Sequence, residues 1–284
     1  MSNMDDRKVL EDFYNILETY IRMVRTELAE RWNNWPLNLA NRRMQEVIGA
    51  LMARQVTLAT QLAGSPSIWN AHIAPIVLRT MADTYITFAW IFREPFERSQ
   101  EYISYGLGQE KLYIEHLKAQ LEADGEGEVD EHPLIRNREE WLNSQRFAFL
   151  TEVNVGSWSG VDTRKMAEDA ECIDVHRFAY APFSSTTHSM WNHVGKCNLD
   201  ICRNPLHRHH GIPVDPSLPG EPDYMLTAAG FVRMTFDLFD EKTGTEADVD
   251  SAHDSLYEAV ENFAESHLQN FRGVSDASAK DVAD

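Results

Sequence analysis

The stretch IWNAHIAPIVLRTMADTYITFAWIF (residues 68–92) decides the fold. Apolar side chains fall on nearly every face of a helical wheel drawn through it, so the spacing predicts a helix central in a helical core. The helix is expected from Pro66 to about Phe92, opened by Ser65 as cap and Pro66 in the first turn, and kinked at Pro75. Arg79 and Asp83 interrupt it at i, i+4 and so pair on one face. Burying one charge without the other is costly, so the pair either fixes helix packing or marks a site.

Working outward, Val9, Leu10, Phe13, Ile16, Leu17, Tyr20, Ile21 and Val24 recur every three or four positions, which predicts a helix over Met4–Trp32. Pro36 ends it, and a second helix is expected over about Leu39–Leu62. Pro95 opens a fourth, to about Ala123, in which Gly106 and Gly108 weaken one unbroken rod. The run ADGEGEVDEHP (123–133) is expected as a flexible acidic linker and a hinge. A fifth helix follows over about Leu134–Thr151, then a loop over 154–160, and Asp162 caps a short helix over Arg164–Glu168. Two more helices are expected, about Asp223–Asp240 and Glu246–Phe271, with any strands confined to 197–216. The sum is an all-α fold, one bundle of about seven or eight mostly antiparallel helices with a long irregular His/Cys-rich loop. Residues 1–272 form the single domain and 273–284 a disordered acidic tail.

The formal charge is −19, from 45 acidic against 26 basic residues, and nineteen of the basic residues are arginine. Such a surface repels polyanions, so long-range steering toward nucleic acid is disfavoured, leaving only a local patch at Arg203 and Arg208. No apolar run approaches the roughly 18 residues that read as a membrane span, and the acidic start MSNMDDRKVL is no signal peptide. Three cysteines without a leader point to a reducing cytoplasm and no disulfide-linked partner. No Walker lysine, H-E-x-x-H or G-x-S-x-G element is present, which disfavours nucleotide-driven motors, zincin proteases and α/β-hydrolases.

Reactive side chains concentrate in Cys172–Pro213, which holds six of eleven histidines and all three cysteines. His176, Tyr180, Ser184 and His188 are four apart and form a polar stripe on one helix, kinked by Pro182. Donors, acceptors and imidazoles in that pattern suit a pocket lining with general acid/base groups. His193, Cys197, Cys202 and His207 offer imidazole and thiolate ligands for a tetrahedral zinc site, although no tight C-x2-C pair is present. Arg203 followed by His209 resembles the R-x(4–6)-H signature of HEPN-type ribonucleases. There the histidine handles the 2′-hydroxyl proton and the arginine stabilises the phosphate transition state. Pro205 and its flanking turns favour a loop, where that family's motif begins on a helix.

With these residues in hand, the chain resembles a family of prokaryotic helical proteins known as domain of unknown function five-six-seven-seven. The resemblance spans roughly Ile68–Asp240. It rests on IVLRTMADTYITFAWIF, on Trp158-Ser159, on Tyr180, Ser184 and His188, and on NPLHRHHGIP (204–213). It implies a fold and a shared polar cluster, with glutamate usual where this chain has Asp83, and it carries no assigned reaction.

Three functions follow. In the first, Arg79, Asp83, Tyr180, Ser184 and His188 converge under the 203–210 loop as a metal-independent hydrolase, such as a HEPN-like ribonuclease in host defence. His188 or His209 is then the acid or base, and Arg79 or Arg203 stabilises the anion. The second is a His/Cys-ligated metalloprotein. The third is a non-catalytic module that binds a small molecule or assembles as a homo-oligomer.

Overall fold

In a computed structural model that describes residues 2–145, 158–208 and 210–280, the chain is an all-α helical bundle. Long helices come first: α1 (Ser2–Asn34), α2 (Arg42–Ala63), α3 (Ala74–Arg93), α4 (Pro95–Ala123) and α5 (Pro133–Ser144). Short ones follow, α6 (Thr163–Asp169), α7 (Ile173–Val175), α8 (Ala181–Thr187) and α9 (Trp191–Cys197). Strands β1 (Leu199–Ile201) and β2 (Gly211–Pro213) pair antiparallel, Asp200 opposite Ile212, before the long helices α10 (Asp223–Thr243) and α11 (Ala252–Lys280). Both strands lie inside 197–216, as the sequence predicts.

Packing divides the chain into two units. One comprises residues 1–36, 49–85 and 174–284, the other 37–48 and 86–173. The divisions fall within α2 and α3, not in the 123–133 segment that reads as a hinge. That segment is folded: it forms a 3-10 turn over Val129–Glu131, Val129 is buried, and Asp130 pairs with Lys118 at 2.5 Å.

In the first unit, α1 buries Leu17, Tyr20 and Val24 at alternating steps of three and four. Met52, Val56, Ala59 and Leu62 of α2, Leu78 and Met81 of α3, and Val232, Phe236 and Phe239 of α10 complete its core. Each large apolar side chain removed from water there contributes about 1.5–3 kcal/mol. The α1 stripe continues into two charged residues, Glu27 and Arg31, both buried. They are compensated. Arg31 reaches Glu27 at 2.9 Å and Asp240 at 2.8 Å, and Glu27 accepts the Ala252 N–H. In the second unit, Leu107 and Ile114 of α4 pack with Ile135 and Leu142 of α5.

Two expectations about breaks are corrected. Pro75 does not kink a helix begun at Pro66. A 3-10 turn covers Pro66–Ile68, and the Asn70 side chain then accepts the N–H groups of His72 and Ile73. Pro75 is thus the second residue of α3, where its missing N–H costs nothing. Gly106 and Gly108 do not interrupt α4, which runs unbroken for 29 residues. The expected end of the fifth helix at Thr151 and most of the 154–160 loop lie outside the described residues. Asp162 caps α6 as read, its carboxylate accepting the Lys165 N–H at 2.8 Å.

Candidate functional site

Arg79 and Asp83 of α3 meet the polar stripe of the 176–188 segment, both within the first unit. The stripe is helical throughout, but its middle turn, His176–Tyr180, is a π-turn in which the Ala181 N–H reaches back to the His176 carbonyl. Pro182 follows directly and has no N–H to restore the ordinary ladder. In this register Ser184 is buried, and its hydroxyl donates to the Tyr180 carbonyl at 2.6 Å. The same oxygen accepts Arg79 Nε at 2.8 Å.

Arg79 Cζ sits over the Tyr180 ring, 3.2 Å from its centroid, and the His176 ring stacks on Tyr180 at 4.9 Å and 18°. The Arg79 side chain is only 13% exposed. Its terminal nitrogens have one partner among the described residues, Asp83 at the long distance of 3.7 Å. Asp83 is half-exposed. Partial burial raises its carboxyl above the usual carboxylate range, while the charge and hydrogen bond of Arg79 pull the other way. Burial wins, as the long contact would suggest.

Ser184 is therefore a positioning group. Its proton is engaged by a backbone carbonyl and no imidazole among the described residues bonds to it, so among these residues it lacks the base that activates a serine nucleophile. His188 caps the end of α8, exposed, its backbone N–H donating to the Ser184 carbonyl and its ring bonded to no described residue. Arg203 is exposed in the ribbon between β1 and β2, and His209 lies outside the described residues. Of the residues read as catalytic, the structure brings together Arg79, Asp83, Tyr180 and Ser184.

The four residues read as metal ligands fall into two groups. His193 Nδ1 lies 3.2 Å from Thr186 Oγ1 and 3.9 Å from Cys197 Sγ, with its ring edge-on to His72 at 5.6 Å. Desolvation first, and then the charge of His72, lower His193 from its ordinary imidazole value. Cys202 and His207 instead gather with His210, their ligand atoms all within 4.8 Å of one another. All three cysteines are free thiols.

Sequence reading missed the buried charges of α1. A cavity of about 100 Å³ opens beside Glu27 and Arg31, lined also by Tyr20, Arg233, Asp237 and His253. The Tyr20 hydroxyl is buried with no partner among the described residues, and burial first, then Glu27, pushes it up. The available signal was Glu27 and Arg31 falling in step with Leu17, Tyr20 and Val24. His72 and its contact with His193 were missed because nothing local links them.

No curated protein and no solved structure matches the chain. A family model does match, over residues 45–201. The matched segment contains Arg79, Asp83, Tyr180 and Ser184 together with His193 and Cys197, and it ends one residue before Cys202. It starts earlier and stops sooner than the 68–240 span of the resemblance. No helix among the described residues is long and apolar enough to cross a membrane. With more than half of its length matched, and with the Arg79 cluster inside the match, the chain belongs to the family of unknown function DUF5677.

Proposed function

We propose that the Arg79 cluster is a binding site for an anionic group, a phosphate or carboxylate, on a small ligand. The observation that supports this is a guanidinium held by its Nε and by the Tyr180 ring, with Nη1 only loosely paired to Asp83 at 3.7 Å and Nη2 bonded to no described residue. An ion pair this long, with its carboxylate half in solvent, contributes about 1 kcal/mol or less. An oxyanion bonded to both terminal nitrogens makes two short charge-assisted hydrogen bonds where Asp83 makes one long contact, so an anion displaces Asp83 from the fork. Tyr180 and Ser184 fix the plane of the fork, which is what two-point recognition needs. Calorimetric titration with sulfate tests this. Binding by the wild type that is lost in Arg79→Lys supports the site; equal binding by both refutes it.

A second reading is favoured by the stack of His176 on Tyr180. It places an imidazole in the same cluster, so a phosphodiester held by Arg79 would have a proton-transfer group at hand. This is the metal-independent hydrolase reading, with His176 in the role first given to His188, and short RNA as the substrate class. The net charge of −19 argues for local capture and not long-range steering. Cleavage of labelled RNA by purified protein, lost in His176→Asn, supports it; cleavage unchanged in His176→Asn and Arg79→Lys removes it. We further propose a cytoplasmic setting, consistent with three free thiols, and one domain over 1–272 with 273–284 as its tail.

A further inference from the structure

We propose that the ribbon between β1 and β2 is a transition-metal site, for Zn²⁺ in the first instance, with Cys202, His207 and His210 as its protein ligands. It is independent of the Arg79 reading. The described residues of the stretch 202–210 bring the three side chains together: the Cys202 N–H donates to the His210 carbonyl at 3.0 Å, and Arg208, after His207, takes a left-handed turn (φ 50°). One thiolate and two imidazoles are the donor set that zinc prefers.

The spacing fits as well as the chemistry. Zn–S and Zn–N bonds of about 2.3 and 2.0–2.1 Å at a tetrahedral angle put sulfur and nitrogen about 3.6 Å apart. Cys202 Sγ and His207 Nδ1 are 3.5 Å apart, and His210 completes a triangle in which no ligand pair exceeds 4.8 Å. The Asn204 amide donates to His207 Nε2 at 3.1 Å; a metal at Nδ1 puts the ring proton on Nε2, so that amide has to turn away when the metal binds. Three protein ligands leave the fourth tetrahedral position to water.

The ribbon also needs an anchor. Its strands are three residues each, too short to be stable as an isolated hairpin. Its tip buries no apolar side chain, with Leu206 86% and Ile201 59% exposed. Leu199, at the base, packs diagonally across the ribbon toward Gly211. A metal bound at the tip supplies the cross-link that the tip lacks, and its binding releases the Cys202 thiol proton.

The test is a cobalt titration of tag-free, chelator-stripped full-length protein, followed by zinc competition. Wild type should take up one Co²⁺ with a near-ultraviolet thiolate-to-cobalt band that Zn²⁺ abolishes. Cys202→Ser should lose the band, and His207→Asn and His210→Asn should each weaken zinc binding at least about tenfold. Cys197→Ser should keep the band, and every variant should keep the wild-type helical circular dichroism because the tip is exposed. Absence of the band in wild type, its survival in Cys202→Ser, or its loss in Cys197→Ser would overturn the proposal.

Discussion

Arg79 and Ser184 are 105 residues apart in the sequence and 2.8 Å apart in the structure, joined by Nε donating to Oγ. One hydroxyl thereby ties the π-turn, through the Tyr180 carbonyl, to the one arginine of α3's buried stretch. Ser184→Ala removes both bonds and takes from the Arg79 Nε its hydrogen-bond partner. The expected loss is about 1–3 kcal/mol by chemical denaturation. The variant should also bind sulfate more weakly, whereas a purely structural bond would leave sulfate binding untouched.

Asp83 competes with any anion for the Arg79 fork. Asp83→Asn should therefore tighten sulfate binding while leaving stability unchanged or slightly raised. The sign follows from the raised carboxyl: its contribution is fully present below the ordinary carboxylate range and is lost as pH rises through the raised value, so at neutral pH the ionised group is a liability. For the same reason wild-type affinity should rise as pH falls toward mildly acid values, a slope that Asp83→Asn flattens. Sulfate keeps its charge across that range, so the probe does not contribute. Weaker binding in Asp83→Asn would instead give the carboxylate a direct role.

Desolvation first, and then His72, lower His193, so its folded-state value lies below the unfolded one. Its contribution to stability is complete above the ordinary imidazole range and is lost as pH falls through the lowered value. Unfolding free energy should drop as pH falls below the ordinary imidazole range, and His193→Gln should flatten that drop. An unchanged slope would place the titration elsewhere.

Arg31 satisfies two buried carboxylates at once, Glu27 and Asp240. Burial raises Asp240, and Arg31 counters it. Removing the cation strands both, so Arg31→Ala should cost about 3–5 kcal/mol in urea denaturation. Pairing that change with Asp240→Asn should recover part of the loss. A cost under about 1 kcal/mol would mean that the pair is solvated in solution.

The long helices were legible because apolar spacing and proline punctuation are local signals. Pro95 and Ala123 bound α4 as read, and Asp162 caps α6 as read. The Arg79–Asp83 pair and the Tyr180–Ser184 half of the stripe were legible for the same reason, since i, i+4 spacing fixes neighbours on a helix. What was not legible depends on the chain returning to itself. Asp240 makes Glu27 and Arg31 a buried network, His72 meets His193 across the fold, and Asn70 moves the start of α3 past Pro66. The π-turn shifts register by one residue after His176, which no spacing rule announces. His193 and Cys197 were read with Cys202 and His207 because they are close in sequence; the end of α9 and the start of β1 set the two pairs apart.

The central claim is that Arg79 receives an anion, and the most direct measurement is sulfate affinity by calorimetry at constant ionic strength. It compares wild type with Arg79→Lys and with Arg42→Lys, whose arginine sits on an exposed i, i+4 pair with Glu46. The account predicts saturable binding in wild type, retained in Arg42→Lys and lost in Arg79→Lys, because lysine keeps the charge but not the planar fork that Tyr180 and Ser184 hold. Equal affinity in all three proteins would contradict it.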